Sequence, residues 1–263
     1  MVANVNIHHS AIIEDGAEIG EGTSVGPFCF VGSKVRLGQN VELKSHVVIK
    51  GDTFLGDENT VFPFAVLGEI PQDKKFNGES TSLKIGNRNQ IREHVTINVG
   101  TKGGGGITKV GNDGLFMAGC HIAHDAHVGD NVILVNNASL AGHCIIEDNV
   151  IVGGLSGVHQ FVRIGEGAII GAVTMVTNDV IPYGLVQAPR GELDGLNLVG
   201  LKRKGVPRAD IMALRAAFQT LSQGDGTFQD RAQKLTDDSD SKYVEKIVSF
   251  VLGHTDRSFL TPR

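Results

Sequence analysis

The sequence predicts an all-β main domain wound as a parallel β-helix, followed by an α-helical tail. Three observations predict it: an aliphatic residue at every sixth position, glycine directly after many of them, and loss of that rhythm after Val180. The series runs Ile7, Ile13, Ile19, Val25, Val31, Leu37, Leu43, Ile49, Leu55, Val61, Leu67. The same phase returns at Ile85, Ile91 and Ile97, slips by one, and continues in steps of six from Val110 to Val176. A period of six fits neither the 3.6-residue helix nor the heptad. Six is even, so a strand would turn the same residue of each unit inward. Glycines such as Gly20, Gly26, Gly32 and Gly38 would supply backbone angles for the turns. Three hexads closing a triangle give a coil of about 18 residues, with coils stacked ~4.8 Å apart by parallel ladders. Spacing does not set the hand of the coil, and the general rule for parallel crossovers favours the right-handed one.

Two segments break the rhythm, 68–84 and 98–109, and are expected to be loops extruded from the coils. Insertions of this kind often gather on a binding face. The glycine run 103–106 lacks the GK[ST] ending of a phosphate-binding loop and is expected to be flexible. Beyond Val180, Pro182, Pro189 and Pro207 mark a different regime. Helices are expected over 208–222, with Ile211, Leu214, Phe218 and Leu221 on one face, then over 227–235 and 241–252. The β-helix is therefore assigned to 1–190 and the helical domain to 191–263, where it would cap the open end of the solenoid.

Composition narrows the function. The formal charge of −5 and pI near 6.0 disfavour a broad nucleic-acid footprint. Cys29, Cys120 and Cys144 stand alone, as buried packing residues in a reducing compartment would. The N-terminus carries no secretory pattern, and no stretch of about 18 apolar residues exists to span a membrane. A cytoplasmic location is expected.

Five of the ten histidines fall between 121 and 159: His121, His124, His127, His143 and His159. An 18-residue coil places Asp125 under His143, and His124 under Gly142 and then Gln160, beside His159. His124 next to Asp125 suits a general base, since imidazole titrates near neutrality and a carboxylate fixes its tautomer. Gly142 would let substrate approach the backbone, and its N–H could face an oxyanion. Alternatively, three histidines across coils could hold zinc, or the column could be a surface ladder of stacked imidazoles. No Ser or Cys nucleophile stands in the column, which favours direct transfer over a covalent acyl-enzyme.

The hexads together with CHIAHDAHVGDN (120–131), LAGH (140–143), GVHQF (157–161) and GLKRKG (200–205) closely resemble the UDP-N-acetylglucosamine acyltransferases that begin lipid A synthesis. The resemblance covers nearly the whole chain. It implies a left-handed β-helix and a homotrimer with active sites between neighbouring subunits. It implies transfer of an (R)-3-hydroxyacyl group from acyl carrier protein, whose phosphopantetheine belongs to the substrate, to the 3-position of a UDP-linked glucosamine. No cofactor or metal is implied. His124 matches the family's general base, Asp125 its partner and Gly142 the oxyanion N–H. Gln72, Asp73 and Lys75 match sugar and acyl contacts, and His121, His143, His159 and Gln160 match substrate-lining positions. Asn197, Arg203 and Lys204 match the uridine and phosphate end.

Three positions bear on this. Lys204 stands where many members have Arg, which keeps charge and loses bidentate geometry. Asn98 and Val99 stand where many members have His-Arg, leaving a 3-hydroxyl or a 3-amino acceptor. Ala172 matches the acyl-length ruler and implies a limit of about 12 carbons. Three other functions are open to the sequence. A related N-acyltransferase carries an extra N-terminal domain, for which hexads starting at Ile7 leave no room. A hexapeptide-repeat metalloenzyme of carbonic-anhydrase type would place Gln160, a poor zinc ligand, above His124. A non-catalytic scaffold would leave the Asp125–His143 stacking and the inserted loops without purpose.

Overall fold

A computed structural model describes residues 5–187, 192–223, 225–236, 240–253, 255 and 257–261. Two-residue strands recur every six residues and stack into three parallel sheets. The first sheet starts at Asn6–Ile7, the second at Ile12–Ile13 and the third at Glu18–Ile19. Register confirms the 18-residue coil: His121 pairs with Ser139, His127 with Ile145 and Ile133 with Ile151. In most strands the second residue points inward, and Leu43, Ile49, Ile97, Ile122 and Leu140 are at most 1% exposed. Each such side chain contributes about 1.5–3 kcal/mol on burial. Polar side chains bridge coils as well: buried Asn59 accepts from the Asn89 backbone at 2.9 Å and its side chain at 3.0 Å.

The two insertions preserve the stack. Leu55 pairs with Ile85, so this coil is longer than an ordinary one by two whole hexads, and the phase is unchanged. Ile85 pairs with Val110, which makes the next coil longer by one hexad and a single further position. That odd position is the slip by one. The irregular segments are narrower than the spacing suggests, 70–81 and 99–106. Val66–Glu69 and Ser82–Ile85 extend the ladders to four residues, and strands end at Asn98 and resume at Ile107.

Of the glycines that follow the hexad aliphatics, Gly68 takes the expected left-handed angle (φ 77°), and others play a different part. Gly20 and Gly26 lie outside the left-handed region. A Cβ on them would meet the next coil's backbone at 2.3 Å from the Gly38 oxygen and 2.2 Å from the Lys44 oxygen. Close coil stacking selects glycine there. Positive φ falls instead at the coil corners, where Asp125 (58°), His143 (63°) and Phe161 (65°) sit one above another.

Past the last coil, Gly184–Gln187 pairs with Ile169–Ile170 in parallel and with Glu192–Leu196 in an antiparallel hairpin. Helices α1 (Leu198–Arg203), α2 (Arg208–Ser222), α3 (Phe228–Lys234) and α4 (Lys242–Leu252) follow. The last three match the expected spans within a residue; the hairpin and α1 were not expected. The 190/191 division and Pro189 lie outside the described residues. The helices cover the C-terminal end of the solenoid: Arg163 packs on Phe250 and Phe259 while its Nε donates to Asp179, and Lys246 pairs with Glu166. At the other end Ile7 is 44% and Ile12 60% exposed. Among the described residues no helix is long and apolar enough to cross a membrane.

Candidate active site

The corner between the second and third sheets carries His124 and Asp125, with Gly142, His143, Gln160 and Phe161 in the next two coils. The His143 N–H donates to the His124 carbonyl (3.0 Å) and the Phe161 N–H to the Gly142 carbonyl (3.2 Å), fixing the stack. The predicted column is present.

Asp125 organises it. Its side chain is fully buried and its Oδ2 accepts from His124 Nδ1 at 2.8 Å. An ionised carboxylate is acceptor-only, so Nδ1 carries the hydrogen, and in the neutral imidazole Nε2 presents a lone pair. Among the described residues His124 Nε2 has no hydrogen-bond partner. The same carboxylate accepts from the Thr101 backbone N–H (2.8 Å, Oδ1) and hydroxyl (2.6 Å, Oδ2), and the Asp125 N–H donates to Thr108 Oγ1 (2.8 Å).

Gly142 is occupied from within. A Cβ on it would lie 2.6 Å from His124 Cε1 and 2.8 Å from Nε2. The Cβ side of Gly142 is filled by the His124 ring, a contact the bare spacing did not show, while Gly142 also lines the cavity beside it. Its N–H finds no acceptor among the described residues.

His143 stacks on Phe161 (4.4 Å, 3°) and meets His124 edge-on (5.0 Å, 87°). Burial pushes its imidazole below the ordinary value, opposed by Asp125 and reinforced by His124. His121 is likewise lowered by burial and then by His124, and its Nδ1 lies 2.7 Å from Thr96 Oγ1. His124, Asp125 and His143 present donor atoms within 4.8 Å of one another. They fit a zinc ion poorly, because the Asp125 oxygens already accept from His124 and twice from Thr101. A plain ladder of rings exists elsewhere: Phe28, His46, Phe64 and His94 stack at centroid distances of 5.0, 5.0 and 5.2 Å. Among the described residues, neither His46 nor His94 hydrogen-bonds a carboxylate.

A cavity of about 450 Å³ opens over the outer face of the second sheet, lined by Gln72, Asn98, His121, His124, His159 and Gln160. Ser139 and Gly157 form its small-residue floor. A larger one, about 840 Å³, lies between the two inserted loops, with Asp73, Lys75, Thr101, Lys102, His143 and Phe161 on its walls. The Lys75 N–H donates to Asp73 Oδ1 at 3.0 Å, turning the loop. Ala172 lies at the next corner, between the first and second sheets.

Asn197, Arg203 and Lys204 are not brought to this corner. Asn197 caps α1, accepting from the Gly200 N–H (2.9 Å) and donating to the Gly167 carbonyl (2.9 Å), at the corner between the third and first sheets. Burial pushes the Lys204 ammonium below its ordinary value, against the pull of Glu166 and Asp148.

Three contacts escaped the sequence reading. Asn98 donates to the Ile70 carbonyl (3.0 Å), which orients its buried Oδ1 without a partner. Thr101 reaches Asp125 across 24 positions. Arg257 Nη2 lies 3.0 Å from His159 Nδ1, 98 positions away. A guanidinium only donates, so this nitrogen accepts and Nε2 carries the hydrogen. The Gln160 carbonyl 3.3 Å from the same Nδ1 is then no hydrogen bond. Only Asn98 left a trace in sequence, as a departure from the family pattern.

A family profile described as Udp N-acetylglucosamine O-acyltransferase, domain 2, matches residues 179–260, and one described as bacterial transferase hexapeptide (six repeats) matches 16–51. The acyl-[acyl-carrier-protein]–UDP-N-acetylglucosamine O-acyltransferase of Paracoccus denitrificans is 65% identical over 77% of each chain. The protein of that name from Agrobacterium fabrum is 43% identical over 100% of this chain and 97% of its own. The structure is similar to the UDP-N-acetylglucosamine acyltransferase of Campylobacter jejuni, with TM-score 0.92 and 39% identity over 98% of this chain and 100% of that one.

Proposed function

The chain belongs to the acyl-[acyl-carrier-protein]–UDP-N-acetylglucosamine O-acyltransferases of lipid A synthesis, and we propose that His124 is the general base of its reaction. The observation that carries this is the 2.8 Å bond from Nδ1 to a fully buried carboxylate, which leaves Nε2 unpartnered at a cavity wall. Nε2 takes the proton of the sugar 3-hydroxyl as that oxygen attacks the thioester carbonyl of the acyl carrier protein. The unpaired Gly142 N–H faces the developing oxyanion. Collapse expels the phosphopantetheine thiolate, which receives the proton held by His124. Asp125 holds the tautomer throughout.

Gln72, His121, His143, His159 and Gln160 line the acceptor and acyl groups, with Asp73 and Lys75 across the loop. Asn197, Arg203 and Lys204 take the uridine and phosphates. They stand at a different corner from His124, which supports a site shared between subunits of a homotrimer. Ala172, at the far corner of the second sheet's face, limits the acyl chain at about 12 carbons.

A 3-amino acceptor is a second reading with one specific observation behind it. A hydroxyl has one hydrogen, which His124 takes. An amine has two, and Asn98, whose buried Oδ1 has no partner among the described residues, lines the same cavity.

The His124→Ala variant is expected to lose at least about 100-fold in turnover while circular dichroism and molecular mass stay unchanged. Near-normal transfer by that variant would sink the mechanism. Mass spectrometry of products from mixed 3-hydroxyacyl carrier proteins, with UDP-sugars bearing 3-OH or 3-NH₂, identifies both acceptor and chain. A preference for about 14 carbons or more would refute the role given to Ala172.

A further inference from the structure

The segment 99–106 departs from the coil only to return its backbone to one side chain. Thr101 gives Asp125 two bonds, from its N–H at 2.8 Å and its hydroxyl at 2.6 Å. The loop closes on Thr101 itself, whose carbonyl accepts from the Gly106 N–H at 2.9 Å and the Gly104 N–H at 3.1 Å. A Cβ at Gly104 would lie 2.1 Å from the Asp125 carboxyl carbon, and one at Gly100 2.8 Å from Oδ1. Gly100 and Gly104 therefore let main chain lie directly on the carboxylate, where a side chain at either would push it away.

This contact bears on the base. Oδ2 is shared between the Thr101 hydroxyl and His124 Nδ1, so the threonine fixes the rotation of the carboxylate about its last torsion. Without the hydroxyl, the Thr101 N–H on Oδ1 and His124 Nδ1 on Oδ2 remain, and Oδ2 loses the one bond that holds it independently of the imidazole. The imidazole would follow, because its orientation is set through Nδ1.

We propose that Thr101, with the glycines that bring it there, is a positioning residue for the His124–Asp125 pair. This rests on His124 being the base. In the proposed reaction Thr101 acts through Asp125, to which both its N–H and its hydroxyl are committed.

Thr101→Val removes the hydroxyl and keeps shape and backbone. It is expected to lower kcat by about 10–100-fold, with KM for the UDP-sugar within about twofold of the parent. Thr101→Ser restores most of the rate. In an Asp125→Asn background, Thr101→Val is expected to have no further effect, because the two share one route to His124. An unchanged kcat in folded Thr101→Val, even with a lower melting temperature, would reduce Thr101 to a partner for a buried charge and overturn the proposal. So would effects of the two substitutions that simply multiply. Normal turnover by His124→Ala would remove the base assignment and this one with it. Loss of activity there, with Thr101→Val unaffected, would remove the clamp alone.

Discussion

Gly142 shows how a single hydrogen atom in place of a side chain sets the geometry of the proposed base. The His124 ring rests where a Cβ would stand, so Gly142→Ala is expected to displace the imidazole and lower kcat by about 100-fold with the fold intact. Combined with His124→Ala it should add nothing, which steady-state kinetics on the double variant will check. His121 and His143 carry a pH signature. Both sit below the ordinary imidazole value of 6.5, chiefly because burial disfavours their charged form. The unfolded chain therefore takes these protons first as pH falls. Their contribution to stability is full above 6.5 and is lost as pH drops through it toward the folded values. Urea midpoints on either side of that pH should show the decline, and His121→Asn should make it shallower. The partners of this column were legible to unequal degrees. His124, Asp125 and His143 follow from an 18-residue spacing that the ladders obey. Thr101 and Arg257 do not, because one lies in an insertion and the other in the tail, and no period connects either to the coil.

At the scale of elements, rhythm was legible and interruptions less so. The hexads gave three sheets because every coil repeats one inward residue, and α2 and α4 followed from their apolar faces. The segment Glu192–Leu196 reads ELDGL, with no clean alternation, and α1 is a short helix with Gly200 inside it. Such a helix is marginal alone; the Asn197 cap and buried Leu201 hold it in place. Asn197→Ala is expected to cost about 1 kcal/mol for the cap, together with the bond to Gly167. Thermal denaturation measures the first role. A rise in KM for the UDP-sugar beyond what the fold change explains would add the proposed nucleotide contact. Insertion length also acquires a meaning. An insertion of whole hexads leaves the phase alone, and one with a position to spare shifts it, so the slip in sequence marks the loop that holds Thr101.

For the whole molecule, three corners carry three different sets of groups: the proposed base and its carboxylate at one, the proposed acyl limit at the next, α1 with its basic end at the third. The proposed shared site makes a strong demand on the assembly. Coexpressed His124→Ala and Lys204→Ala chains, each inactive alone, should regain activity in mixed trimers, at roughly a quarter of the sites. No recovery would mean that each chain holds a complete site. The two ends of the solenoid are also unequal. The last coil is tied down by Arg163, Asp179 and the helices, whereas the first leaves Ile7 and Ile12 facing water. Each coil is held mainly by its neighbours, so opening has a direction. Amide exchange should begin at the N-terminal coils and move inward rung by rung, reaching the ladder beside Asp179 last. A pull on the N-terminus should peel the chain coil by coil until the two longer coils, with their extended rungs and loop-to-coil bonds, bring it to a halt.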